Sequence, residues 1–165
     1  MLFMELMKGG LFLSDKIKKI VMVLAVLYLL VSIYNYMVFT FIKIDNSHAL
    51  TVTERLGTKV SSGDSFVMAE ITDFIWDTLY VFQPYTTRDA IKDEVGTRWA
   101  LSKTYLGWQL EKKTERLVDD TLMAFVFVRD GQVVCDLTWD LTNGNLLFLS
   151  DKSPYDRQMK VVFTE

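Results

Sequence analysis

Carboxylates are the chemically plentiful side chains of this sequence. Asp73 and Asp77 flank Trp76, Asp119 and Asp120 precede an apolar run, and Asp136 and Asp140 alternate along a later one. Two acids held ~5–10 Å apart can hydrolyse a glycosidic bond, one as acid and the other as base or nucleophile. Asp136 and Asp140 share one side of a strand but stand about 13 Å apart along it, too far to act alone as that pair. Solvation or turn capping is the expected role of most of these acids. His48 is the only histidine and Cys135 the only cysteine. Ser-His-Asp or Cys-His catalysis would need His48 to reach a nucleophile across the domain. A zinc site takes three or four Cys or His ligands, and neither a glycine-rich phosphate loop nor a D-x-[DN]-x-[DN]-G calcium loop is present. The reading is of a chain with no catalytic set, no metal site and no cofactor, and so not an enzyme. A hydrolase of cell-envelope material acting through paired acids is the rival.

A lone cysteine excludes an internal disulfide. Cys135 alternates onto one strand face with Val133, Leu137 and Trp139, where a thiol behaves as a small buried hydrophobe. The candidate binding residues are Trp76, Asp77, Tyr80 and Tyr85. Trp76, Thr78, Tyr80 and Phe82 alternate as one aromatic face. Most of these rings are expected in the core, whereas Tyr85 sits in a turn and is expected to be exposed. Asp77 precedes the Pro84-Tyr85 turn and is expected to accept from backbone donors there.

The elements that must position these residues divide sharply by composition. Ile20–Ile42 contains no Asp, Glu, Lys, Arg, Gly or Pro. A hydrocarbon layer ~30 Å thick requires about 20 helical residues, so this stretch is long enough to span it. A cleavable signal has a shorter core, ~7–15 residues, and small residues at its end; here Tyr28, Tyr34, Tyr36, Phe39 and Phe41 are bulky. Lys8, Lys16, Lys18 and Lys19 precede the span, and Lys43 and Arg55 are the nearest cations after it. That bias places the N-terminus in the cytoplasm and the C-terminal domain outside the plasma membrane. Residues 1–43 carry five Lys against Glu5 and Asp15, a net +3, and residues 44–165 a net −6, giving −3 for the chain. An acidic domain argues against nucleic acid, which calls for clustered Lys and Arg. The expected partners are the bilayer, through residues 20–42, and another protein. An accessory helix within a larger membrane complex is a weaker alternative, because Ser32, Asn35 and Thr40 form no single stripe.

The expected organisation is a tail at 1–19, a membrane helix at 20–42, a linker with a possible short helix at 43–65, and a soluble domain at 66–165. In the linker, Ser47 reads as a cap for a helix carrying Leu50, Val52, Leu56 and Val60. In the domain, a strand ends at Pro84. Thr86 reads as the N-cap of the next helix, with Asp89 reaching back. Ile91 and Val95 form that helix's inner face and Gly96 its stop. Residues 97–117 fit neither period. Residues 121–128 are apolar on both faces, as in a central strand, and Asp130-Gly131 signals a hairpin into Val133–Trp139, a strand with one wet face. Asn143-Gly144 marks a turn before 146–149, and 159–164 forms a last strand. The fold class is α+β: one N-terminal transmembrane helix, then one or two helices on an antiparallel sheet of about four or five strands.

Residues 74–86, FIWDTLYVFQPYT, and 122–134, LMAFVFVRDGQVV, resemble a family of small uncharacterised bacterial proteins that are membrane-tethered or lipid-anchored. The shared pattern is an aromatic followed by W-D-x-x-Y-x-F-x-P-Y-T and a later D-G-x-V-V hairpin. Trp76, Asp77, Tyr80, Phe82, Pro84, Tyr85 and Thr86 match it in register. The resemblance implies export and a common fold over roughly Phe66 to Asp140, and it implies no reaction.

Overall fold

A computed structural model describes residues 15–111, 121–148 and 153–164. The tail residues Lys8 and Gly9-Gly10, the acids Asp119 and Asp120, and residues 149–152, where the expected strand at 146–149 ends and the expected loop at 151–155 begins, lie outside them. The chain divides into two compact units, with the boundary between Phe41 and Ile42.

The described residues of the first unit form one helix, α1 (Asp15–Ile42), whose last residue belongs to the second unit. Without Gly or Pro to interrupt it, the helix from Asp15 satisfies its own backbone over 28 residues, a rod of ~42 Å. Asp15 opens the helix and pairs with Lys18 one turn on, 3.4 Å away. Every side chain from Asp15 to Val31 is exposed. By length and composition the helix is sufficient to cross a membrane.

The second unit begins at once with a paired segment. Ala100 donates to the carbonyl of Ile42 (2.8 Å), and Ile44 donates to that of Ala100 (3.2 Å). Residues 43–65 hold a helix of 15 residues, α2 (His48–Ser62). Val52 and Leu56 bury its inner face, while Leu50 is exposed. Ser47 lies in helical geometry with no side-chain cap; instead its N–H donates to Asp45 Oδ1 at 3.2 Å. Gly57 does not break the helix, which ends at Gly63.

Short elements follow: β1 (Phe66–Val67), α3 (Met68–Ile71), β2 (Thr78–Phe82), α4 (Arg88–Val95) and α5 (Tyr105–Glu111). β3 (Leu122–Arg129), β4 (Gln132–Asp140), β5 (Asn145–Phe148) and β6 (Lys160–Thr164) complete the chain. The fold is α+β, and its strands form two antiparallel sheets of three, ordered β2-β3-β4 and β1-β6-β5. Asp130 and Gly131 take φ of 50° and 73° in the β3–β4 hairpin, the left-handed pair that a two-residue turn requires.

The β2-β3-β4 sheet is buried on both faces. On one, Leu79, Phe125, Phe127, Cys135, Leu137 and Trp139 pack with Val52 and Leu56 of α2 and with Trp76. On the other, Phe82, Ala124, Val126 and Val128 pack with Ile91 of α4 and with Trp99. Each such side chain contributes ~1.5–3 kcal/mol by leaving water. Two sequence expectations change here. Trp76 precedes β2 and lies on the face opposite Phe82, so the aromatic residues of 76–82 are split between cores. A register shift between Phe127 and Val128 carries Val133 away from Cys135 to the α4 side.

Each edge of the β2-β3-β4 sheet is engaged by another part of the chain. Tyr155 exchanges two hydrogen bonds of 2.8 Å with Leu79 along β2. Along β4, the Asn46 side chain accepts from the N–H of Asp136 (2.8 Å) and donates to its carbonyl (2.6 Å). Open backbone edges invite pairing with other chains; at Leu79 and Asp136 the edge groups are occupied from within.

Candidate functional site

The site is built on the turn between β2 and α4. Pro84 fixes its own φ and cannot extend the ladder. The N–H of Thr86 then closes on Gln83 O at 3.3 Å, and the Thr86 hydroxyl donates to the same oxygen at 2.7 Å. Tyr85 at the third position has φ +67°. This is the place in a type II turn that glycine normally fills. For a residue with a Cβ, left-handed backbone costs roughly 1–2 kcal/mol. The ring held there is 72 % exposed, so its own packing does little to offset the strain.

The helix behind the turn is capped by Thr87, whose hydroxyl accepts from Ala90 N–H at 3.2 Å. Thr86, expected as the cap, serves the turn instead. Ile91 is buried inside α4, and Gly96 ends it in the left-handed conformation.

Arg88, the first residue of α4, fastens this unit to β4. It donates to Asp136 Oδ2 at 2.6 Å, and Trp99 Nε1 donates to the same oxygen at 2.6 Å. The guanidinium also sits over the Trp99 ring, 5.8 Å from its centroid. Asp136 is only 4 % exposed, where an unpaired charge would be costly and a paired one fixes geometry. Asn46 grips its backbone from the other side. The sequence reading put Asp136 on a wet face; α4 and Trp99 cover that face and bury it.

The other acids each hold backbone or partners locally. Asp77 Oδ2 accepts from the N–H of Asp130 (2.9 Å), bracing the β3–β4 hairpin rather than the Pro84-Tyr85 turn. Asp140 caps the turn at 141–143, and hydrogen bonds from the backbone and hydroxyl of Thr142 lower its pKa. Asp73 lies 2.9 Å from His48 Nδ1 and 3.5 Å from Arg55, a surface trio joining α2 to the loop before β2. Burial, then the charges of Asp136 and Asp73, pushes the Cys135 thiol up to about 12. Among the described residues, no group of three or more His, Cys, Asp or Glu is placed to hold a metal ion.

The four candidate binding residues do not converge. Trp76 is buried, its indole N–H on Thr72 Oγ1 at 2.9 Å and its ring edge-on to Phe127. Tyr80 is half-buried and stacked parallel to Phe82, centroids 6.3 Å apart. Trp76 and Asp77 lie before β2 and Tyr85 beyond it, and a five-residue strand spans ~17 Å. Tyr85 alone faces outward as a free aromatic surface. Sequence reasoning missed Asn46, Arg88, Trp99 and Asp136 as a set. One signal was present: a cation in the first turn of a helix opposes the helix dipole, which marks Arg88 as having a partner elsewhere.

Fold and site together define an α+β domain that follows one long apolar helix in the chain, with a strained aromatic turn leading into a helix whose first residue, Arg88, enters a buried ion pair. No protein-family model, no curated protein and no solved structure matches the chain.

Proposed function

We propose that this chain is a single-pass membrane protein whose C-terminal domain is a protein-binding module at the outer face of the plasma membrane, with Tyr85 as its contact residue. The observation that carries this reading is the left-handed, solvent-exposed Tyr85. Strain retained at an exposed position points to a use for the side chain it displays. Tyrosine is suited to that use, since it offers a large rigid ring and a hydroxyl and orders few rotors on binding. Membrane anchoring is supported by α1, and the orientation by Lys16, Lys18 and Lys19 at its N-terminal end. The resemblance of residues 74–86 to membrane-tethered bacterial proteins points the same way. Inhibitors, immunity proteins and envelope-assembly accessories are the kinds of module that fit.

The test is a photoreactive phenylalanine analogue placed at position 85 and, as a control, at the exposed Gln132. Illumination of intact cells followed by detergent extraction is expected to give a discrete adduct from position 85 only. Recovery of the bare monomer from both positions, under several growth conditions, overturns the proposal.

A further inference from the structure

We infer that Asp136, the buried carboxylate of β4, is a positioning residue for Tyr85, acting through Arg88 to hold the exposed ring ready for a protein partner. The inference rests on the binding reading of Tyr85.

A left-handed residue other than glycine persists only where its surroundings over-determine it. The Tyr85 side chain contributes nothing of that kind. It is exposed, and among the described residues it has no hydrogen bond, ion pair or ring contact. The two arms of the turn must therefore impose its φ of +67°. One arm is β2, which enters the turn at Phe82, buried and paired with Ala124 of the central strand. The other is α4, which starts three residues beyond Tyr85. Ile91 anchors that helix one turn further on. The tie nearest to Tyr85 is made by Arg88, whose Nη1 donates to Asp136 Oδ2 at 2.6 Å.

What Arg88 grips is itself immobile. Tyr80, Val126 and Asp136 are successive partners across β2, β3 and β4. Asp136 thus stands two strands away from the arm that enters the turn. The same carboxylate oxygen takes the Trp99 indole N–H at 2.6 Å, and Asn46 holds both backbone groups of Asp136. The Arg88 side chain is only 20 % exposed, so the pair lies largely out of water. An exposed pair of long side chains would fix little. A buried carboxylate with two donors in place gives the planar guanidinium one seat, and that seat sets where α4 begins. With one arm registered in β2 and the other pinned to β4, the turn from Gln83 to Thr86 closes in one geometry. A turn ordered in advance loses less freedom when a partner docks.

The test removes the pair while filling its site, by Arg88→Met together with Asp136→Leu in the full-length protein. Hydrogen exchange in detergent micelles compares the Thr86 amide, which closes the turn on Gln83, with the Val126 amide in the central strand. The photo-adduct from position 85 is measured in cells carrying the same substitutions. Val126 is expected to keep its protection. Thr86 is expected to exchange ~tenfold faster and the adduct to fall ~tenfold, the population change that matches the strain no longer imposed. A pair that served stability alone would move both amides together or neither. Wild-type exchange at Thr86 with an undiminished adduct overturns the inference and leaves the binding reading standing. If the double variant does not fold, Asp136→Asn is measured in the same way, since it keeps the shape and an acceptor for Trp99 but loses the charge. Faster exchange at Thr86 with Val126 unchanged then supports the inference, and unchanged exchange at Thr86 overturns it. No adduct from position 85 in the otherwise wild-type chain overturns the binding reading, and the role of Asp136 with it.

Discussion

Tyr85 and Asp136 bear opposite relations to stability. Glycine at position 85 takes up φ +67° without a Cβ penalty, so Tyr85→Gly is expected to raise stability by ~1 kcal/mol while abolishing the photo-adduct seen from nearby turn positions. Thermal melting and cross-linking of the same variant separate the two effects. A destabilised Tyr85→Gly would mean that the ring packs on the domain. Asp136→Ala leaves Arg88 and the Trp99 indole without their acceptor in a closed site, and is expected to cost about 3–5 kcal/mol. Replacing both partners with apolar residues, Arg88→Met with Asp136→Leu, should cost less than Asp136→Ala alone, as read by urea unfolding in detergent. Cys135 gives a third prediction. Its folded pKa of about 12 lies above the unfolded value, so the native state holds the proton that the unfolded state sheds. Stability is therefore unaffected by this thiol below pH ~9 and falls as pH rises toward 12, by at most about 1.4 kcal/mol per unit. At pH 8 the thiol should ignore a disulfide reagent until denaturant is added. At this scale the sequence was legible for Cys135, because alternation with Leu137 and Trp139 reports burial directly. It was illegible for Asp136, because alternation gives a strand two faces but not what later folds over each.

Among the elements, glycines with different surroundings predict opposite outcomes. Gly57 stands mid-helix in α2, and a Cβ there would meet only Trp139 at 4.0 Å, so Gly57→Ala is expected to stabilise by ~0.5–1 kcal/mol through helix propensity. Gly144 has φ +133°, and a Cβ would stand 2.5 Å from Val60 Cγ1. Its carbonyl also accepts the Trp139 indole N–H at 3.0 Å. Gly144→Ala should destabilise by more than ~1 kcal/mol, measured in the same unfolding series. α4 was almost fully legible, since Ile91, Val95 and Gly96 carry their signals within two turns. Its cap was misplaced by one residue because Thr86 and Thr87 are equivalent by type. Only the closure of the Gln83–Thr86 turn, which takes the first hydroxyl, decides between them. The pairing of β1 with β6 joins residues nearly a hundred positions apart, and no local pattern encodes such a partner. Residues 97–117 fitted neither period; in their first part, the Ala100 backbone bonds to Ile42 as a strand would while Trp99 is buried against α4, a mixture with no regular repeat.

At the scale of the whole molecule, α1 decides where the rest of the chain operates on the proposed reading. An arginine at the centre of a spanning helix costs ~2.5–3.5 kcal/mol on insertion scales. Leu27→Arg is expected to shift protein from the carbonate-resistant membrane fraction toward the soluble one, and Lys43→Arg to leave it unchanged. An export-dependent reporter fused after Glu165 should be active; a silent one would retain the anchor and reverse the orientation. On the proposed reading, anchoring by α1 keeps Tyr85 in the neighbourhood of one membrane face. Its encounters become two-dimensional, and the crowding of a partner along the same bilayer, rather than its concentration in bulk solution, sets how often the turn is occupied.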